Sequence, residues 1–109
     1  MPERRKYPRY QVHQVVELSL GRENFIDLEP INVSANGILC TSDKAIELSS
    51  KYFVLLSVEL EGKHEEIQAE GVVARQDVGD NGKYYFGIEL IDFRGNDQEK
   101  YKQFIQNMQ

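Results

Sequence analysis

The chain has 109 residues, enough for one domain with a buried core and too few for two. Its longest apolar run, residues 52–56, is far shorter than the roughly 18 residues of a membrane-spanning helix. Its first residues are charged and do not resemble a secretory signal. We therefore expect a soluble cytoplasmic protein. The net charge of -5 argues against a binder of long polyanions such as DNA, and Cys40, as the only cysteine, excludes an internal disulfide.

The first ten residues differ in charge from the rest of the chain. They carry +3, against -8 for the remainder, because one glutamate is outnumbered by four basic residues, Arg4, Arg5, Lys6 and Arg9. Pro8 is unsuited to a helix interior or a central strand, so we predict a flexible basic arm over residues 1–10. Guanidinium groups fork onto phosphate oxygens and pair with guanine O6 and N7. The arm therefore favours a compact anionic ligand.

Alternation of apolar and polar residues predicts six strands between residues 11 and 93. The predicted strands are 16–20, 25–28, 37–41, 52–60, 67–75 and 84–93. We expect the second strand to end near Pro30, and the Asn81-Gly82 pair to form a tight hairpin turn with positive φ. Short connections without intervening helices predict a mostly β fold, a six-stranded antiparallel barrel of the Greek-key type, because closure removes exposed strand edges.

The periodicity changes after Gly95. Apolar residues then recur at steps of three and four, at Tyr101, Phe104, Ile105 and Met108. This spacing predicts one amphipathic C-terminal helix over residues 96–108, completing a single domain of residues 1–109. We expect its apolar stripe to cover the barrel; a groove for a partner is the alternative use.

A second polar cluster, residues 32–37, lies between two predicted strands. Asn32 and Ser34 offer side-chain donors and acceptors beside turn amides, and Gly37 permits either positive φ or close approach of a ligand to the backbone. Such residues could bind the edge of a base, although they are also common in turns without any ligand.

Together the two clusters resemble the PilZ domain family. That family combines an Arg-x-x-x-Arg segment, matched by Arg5 and Arg9, with an Asn/Asp-x-Ser-x-x-Gly motif, matched by Asn32, Ser34 and Gly37. Residues 71–75 and 85–90 also resemble the family's late strands, so the resemblance covers essentially the whole chain. It implies a six-stranded barrel with a terminal helix, and cyclic di-GMP as the ligand.

The resemblance implies a role for each matched residue. Arg5 and Arg9 would contact the phosphates and the guanine Hoogsteen edges, while Asn32 and Ser34 would bind a guanine. Gly37 would keep that loop open. Asn32 is the amide version of the family's Asp/Asn position, which adds no negative charge near the phosphates.

Two further arginines are secondary candidates. Arg4 directly precedes the first motif, and family members with arginine at this position tend to bind an intercalated dimer of the ligand. Arg75 ends the fifth predicted strand and could contact a second guanine or a phosphate, although an exposed strand arginine is the simpler interpretation.

These features favour a cyclic di-GMP receptor that transmits the second-messenger level to an unknown partner protein through ordering of its arm. The alternatives are an adaptor with the same barrel that responds to no nucleotide, and a small nucleic-acid binder, which the acidic remainder of the chain opposes. No catalytic motif occurs in the sequence, so we expect no enzyme activity. His13 and His64 lie far apart without a ligand cluster, so we expect no metal and no cofactor.

Overall fold

The computed structural model describes residues 10–11, 15–48 and 50–107, and within them it contains seven strands and one helix. In chain order these are β1 (Tyr10–Gln11), β2 (Val15–Gly21), β3 (Phe25–Ser34), β4 (Gly37–Ser42), β5 (Lys51–Leu60), β6 (Lys63–Val78), β7 (Tyr84–Phe93) and α1 (Asp97–Asn107).

The six longer strands form a closed antiparallel barrel. Their order is β3-β2-β5-β6-β7-β4, and β4 pairs with β3 to complete the circle. The two residues of β1 pair with the last part of β3, Tyr10 opposite Val33 and Gln11 opposite Asn32. The predicted six-stranded antiparallel barrel with one C-terminal helix is therefore confirmed.

β3 differs most from its prediction. We expected it to end near Pro30, but it continues to Ser34. It pairs with β2 as far as Leu28 and with β4 from Glu29 onward, and the register shifts between Pro30 and Asn32. An irregular position of this kind tolerates a residue without an N–H donor, and for that reason Pro30 bends the strand without ending it.

The alternation predicted for β5 and β6 decides which side chains fill the barrel. Every second residue points inward and is buried, namely Val54, Leu56, Val58 and Leu60 from β5 and Ile67, Ala69, Gly71 and Val73 from β6. Cys40 on β4 is fully buried among them, the position expected for a small apolar residue.

β6 is longer than the predicted strand of residues 67–75. Glu61 and Gly62, both with positive φ, form a two-residue turn, so pairing between β5 and β6 begins at once with Leu60 and Lys63. Gly82 also has positive φ, and its N–H donates to Gly79 O at 3.0 Å. The predicted hairpin is present, but its connection spans residues 79–83, and of the Asn81-Gly82 pair only Gly82 has positive φ.

Helix α1 packs against β5 and β6. Tyr101, Phe104 and Ile105 are buried in the barrel core, as the helical spacing predicted, whereas Met108 lies outside the described residues. The Asp97 carboxylate at the start of the helix accepts a hydrogen bond from the Gln68 N–H at 2.8 Å. Among the described residues, no helix has the length and hydrophobicity required to cross a membrane.

Gly71 provides a test of the tight packing inside the barrel. A Cβ atom at this position would lie 2.7 Å from Ile88 Cγ2 and 3.0 Å from Val54 Cγ2. We expect Gly71→Ala to lower the free energy of unfolding by about 1–3 kcal/mol through overpacking, measured by urea denaturation. Gly87→Ala on β7 is the matched control, because a Cβ there would meet no heavy atom within 4 Å. Equal stability of the two variants would contradict this account.

Candidate functional site

The second polar cluster forms the end of one strand, a turn and the start of the next strand. Asn32 and Ser34 belong to β3, and only Ala35 and Asn36 form the turn before Gly37 begins β4. We had predicted a turn over the whole cluster. That prediction was too broad because β1 and β4 both pair with this part of β3 and keep it extended.

The chain enters the barrel beside this cluster. The register of β1 aligns Gln11 with Asn32 and Tyr10 with Val33, and Arg9 is bonded directly to Tyr10. Arg9 and the other arginines of the predicted arm, Arg4 and Arg5, lie outside the described residues.

The Ser34 side chain is engaged within the turn. The residue is buried, and its hydroxyl lies 3.3 Å from Asn36 Oδ1 and 3.4 Å from Gly37 O, each of which can accept its proton. We expected this side chain to face a ligand. In this structure its hydroxyl contacts the turn, because Ser and Asn side chains compete effectively for local hydrogen bonds, and its role toward a ligand stays a prediction.

Gly37 is required by close packing. A Cβ atom at this position would lie 2.8 Å from Ile88 O on β7, a backbone atom that cannot move aside cheaply. Sequence analysis gave two possible reasons for a glycine here, positive φ or a close approach to the backbone. The φ of Gly37 is not positive, so the first reason was wrong. The residue lets the start of β4 approach β7.

The Asn32 side chain contains an unsatisfied polar atom. Its Oδ1 is buried and has no hydrogen-bond partner among the residues that the structure describes. A buried acceptor without a donor costs about 1–3 kcal/mol. Native structures leave few such atoms, and one beside a suspected site suggests a role in binding.

A shallow cavity of about 200 Å³ lies against the outer side of the turn. The residues that line it come from the turn and from the neighbouring parts of β6 and β7, and they include Ser34, Asn36, Gly37, Arg75, Gly87 and Glu89. The fold thus brings Arg75 next to the cluster, although Arg75 follows Gly37 by 38 residues in the sequence.

Arg75 is an exposed side chain at the rim of this cavity. Its Nε lies 3.3 Å from Asp77 Oδ2, and both side chains are largely exposed, so the ion pair contributes little to stability and can open without much cost. Glu89 lines the same cavity and adds a negative charge. Sequence reasoning missed Glu89, since only the pairing of β4 with β7 brings it here.

Tyr101 holds the turn from the inside of the molecule. Its buried hydroxyl donates to Ser34 O at 2.6 Å and lies 3.4 Å from Gly37 O. Burial raises the pKa of this hydroxyl well above its usual range, so it keeps its proton and remains a donor. The helical spacing identified Tyr101 only as a core residue, and nothing in the sequence indicates its contact with the turn.

A second bond fixes the turn to the neighbouring strand. The Leu90 N–H on β7 donates to Asn36 O at 2.8 Å. The turn is therefore anchored to both the helix and the sheet, and the cavity that Arg75 lines borders it.

Comparison with known protein families agrees with this architecture. A family model described as the PilZ domain matches residues 3–107. The chain belongs to the PilZ domain family. The match includes the segment of Arg4, Arg5 and Arg9 as well as the whole barrel and helix, so the PilZ resemblance seen in the sequence is confirmed.

Solved structures of other PilZ proteins share the fold. The Bacillus subtilis inhibitor of motility MotI/DgrA aligns with a TM-score of 0.80 at 21% identity, over 97% of this chain and 51% of that one. The PilZ domain of Escherichia coli YcgR, solved with c-di-GMP, aligns with a TM-score of 0.66 at 9% identity, over 97% and 92%. The c-di-GMP complex of MrkH from K. pneumoniae aligns with a TM-score of 0.66 at 15% identity, over 98% and 53%.

The present chain thus spans about half the length of MotI/DgrA and of MrkH, and nearly all of the YcgR PilZ domain. At these identities the similarity establishes the fold and not the ligand. No curated protein sequence matches the chain.

The anchor of the PilZ turn can be tested at Tyr101. We expect Tyr101→Phe to lower the free energy of unfolding by about 1–3 kcal/mol, because Ser34 O would be left buried without its donor. Urea denaturation measures the change. Tyr52→Phe is the control, since the Tyr52 hydroxyl makes an exposed hydrogen bond to Glu47 O at 3.3 Å and its loss should cost less than about 0.5 kcal/mol. Similar losses in both variants would argue against an anchoring role.

Proposed function

We propose that this PilZ domain is a cytoplasmic receptor for cyclic di-GMP that passes the signal to a separate partner protein by binding, without catalysis. The observation that carries the proposal is the pairing of Tyr10 and Gln11 with Val33 and Asn32. It brings the C-terminal end of the basic segment to the polar cluster, and binding of one ligand between these two parts requires that proximity.

The chain length allows both arginines of the first motif to reach the cluster. Arg9 is adjacent to Tyr10, and continuing the antiparallel register by one residue would align it with Ser34. Arg5 is five residues before Tyr10, a distance that extended chain spans up to about 17 Å. In the proposal, Arg5 and Arg9 contact the phosphates and the Hoogsteen edges of guanine.

The polar cluster supplies the second half of the proposed clasp. Asn32 Oδ1 lacks a donor among the described residues, and guanine N1–H and N2–H are donors that a carbonyl oxygen can accept. Ser34 and Gly37 support this site mainly by shaping the turn, as their contacts with Asn36 and Ile88 indicate. Arg75, at the rim of the cavity, is a secondary contact for a phosphate or a second guanine.

Charge explains why the arm is needed. Within the cavity beside the turn, Arg75 is accompanied by Glu89, so the described residues there offer no net positive charge for a dianionic ligand. The four basic residues of the first ten would supply it. Ordering that segment costs conformational entropy, but it creates a surface that differs between free and bound protein, and a partner can select one of the two states.

The first experiment is isothermal titration of the folded protein with cyclic di-GMP. We expect saturable binding, and two ligands per chain if Arg4 promotes an intercalated dimer as in similar family members. An absence of heat up to high micromolar ligand, with the fold verified by circular dichroism, would refute the receptor function. A nucleotide-independent adaptor would then be favoured over a nucleic-acid binder, which the acidic remainder of the chain opposes.

The second experiment tests the arginines. Arg5→Ala and Arg9→Ala should each weaken binding by about 2 kcal/mol or more, roughly 30-fold, through the loss of charge-assisted hydrogen bonds. Ser34→Ala should have a smaller effect, since its hydroxyl is engaged within the turn. Arg22→Ala is the matched control for charge, because Arg22 is exposed in the β2–β3 connection and donates to Lys51 O. Unchanged affinity in both arm variants would contradict their assigned roles.

A further inference from the structure

One outer face of the barrel exposes large apolar side chains close together. Phe25, Phe53 and Leu55 are 44%, 55% and 39% exposed; Phe25 lies on β3, Phe53 and Leu55 lie on β5, and β2 runs between these two strands. We call these three residues, with Gly21 between them, the Phe53 face. Exposed apolar clusters of this kind commonly mark interaction sites.

The register explains how the face is shaped. Phe53 lies opposite Gly21 on β2, and Gly21 lies opposite Phe25 on β3. The two aromatic residues are therefore two strand spacings apart, about 10 Å. A Cβ at Gly21 would lie 2.3 Å from Asn24 O, so the backbone of the β2–β3 connection covers this position between the two aromatic residues.

A cavity of about 380 Å³ adjoins the same face. Phe53, Ala69 and Phe93 supply apolar walls, and the carboxylates of Glu70 and Asp92 also line it. Apolar walls that end in carboxylates suit a lysine or arginine side chain, whose aliphatic stem can contact the aromatic residues while its charged group meets the acidic ones.

The surroundings of the Phe53 face are acidic. Glu17, Asp27 and Glu66 are exposed on β2, β3 and β6, and none of them forms a salt bridge with another of the described residues. Asp27 lies in the same register row as Leu55, with Ser19 of β2 between them. Glu17 and Glu66 lie in the next outward-facing row, on either side of Ser57.

Two cations partly offset this charge. Lys51 pairs with Glu70 at 3.5 Å, and Arg94 donates to Gln68 Oε1 at 2.8 Å at the edge of the cavity. The face as a whole remains negative, since these two cations and Arg22, whose Nε donates to Lys51 O at 3.1 Å, stand beside five carboxylates, those of Glu17, Asp27, Glu66, Glu70 and Asp92.

We propose that the Phe53 face docks a partner protein through a segment that presents lysine or arginine next to apolar side chains. Charge complementarity selects this occupant, because opposite potentials favour association and like charges oppose it. A second copy of this chain would bring an equally acidic face against the first. The inference goes beyond the proposed function, because this docking site is separate from the surface that ordering of the arm would change.

The docking surface and the ligand cluster occupy different parts of the barrel. The cavity beside the turn is lined by residues of the β3–β4 turn, β6 and β7, whereas Phe25, Phe53 and Leu55 belong to β3 and β5 at positions that line none of it. Ligand and partner can therefore be bound at the same time.

The test uses the full chain and an 18-residue helical peptide made of leucine and lysine as the probe. We expect the peptide to bind, and NMR amide shifts to concentrate on β2, β5 and the neighbouring part of β6. Phe53→Ser should weaken binding at least 10-fold, and so should the double variant Glu70→Gln and Asp92→Asn. Val78→Ser is the matched control, because Val78 is an exposed apolar residue, 67% accessible, at the other end of β6; its affinity should change less than 2-fold.

Three outcomes would overturn the proposal. They are equal losses in Phe53→Ser and Val78→Ser, amide shifts centred elsewhere, and equal binding of a peptide in which serine replaces leucine, which would show attraction by charge alone. The double charge variant keeps the test valid if Phe53→Ser fails to fold. Titration of the same variants with cyclic di-GMP separates the two proposals, since each should retain the ligand affinity of the unaltered chain even when peptide binding is lost.

Discussion

The closure of the barrel depends on one strand that pairs with different neighbours along its length. β3 pairs with β2 through Leu28 and with β4 from Glu29 onward, and β1 adds to its last residues. Without this change of partner at Pro30, the last part of β3 would not pair with β4, and the sheet would stay open at β4. The same irregularity directs the last residues of β3 into a two-residue turn next to β7. The polar cluster therefore exists in its observed form because the barrel closes at this point.

The turn is supported from within, and this determines how a ligand could use it. Tyr101 contacts the Ser34 carbonyl from the helix, Leu90 contacts Asn36 from β7, and Gly37 packs on Ile88. A turn fixed in this way loses little conformational entropy when a ligand binds. In the proposed function the entropy cost falls instead on the basic segment before Tyr10, and the affinity would depend mainly on its arginines.

Charge is distributed unevenly over the molecule, and the two proposed surfaces differ accordingly. The first ten residues are basic and the remainder is acidic. A compact nucleotide suits the former, since a few guanidinium groups can neutralise its phosphates. The acidic remainder, with Phe53 and Leu55 exposed among carboxylates, suits a basic partner. Oppositely charged occupants on separate surfaces would not compete for the same groups.

The sequence by itself determined the features that depend on local geometry. The period of two placed Val54, Leu56 and Val58 inside the barrel, and the period near 3.6 did so for Tyr101 and Phe104, because neighbouring side chains on a strand or helix have fixed directions. The position of the β6–β7 hairpin was predictable for another local reason, because glycine tolerates the positive φ found at Gly82. The presence of both motifs, Arg-x-x-x-Arg and Asn-x-Ser-x-x-Gly, in one sequence indicated the family.

Only the tertiary structure decided which distant residues meet. Closure through Pro30, the contact of Tyr101 with Ser34, the place of Arg75 and Glu89 beside the turn, and the exposure of Phe53 across Gly21 all follow from strand order and register. These are set by pairings between segments far apart in the chain. A local pattern indicates which face of a strand is buried, but not which neighbour lies beside it.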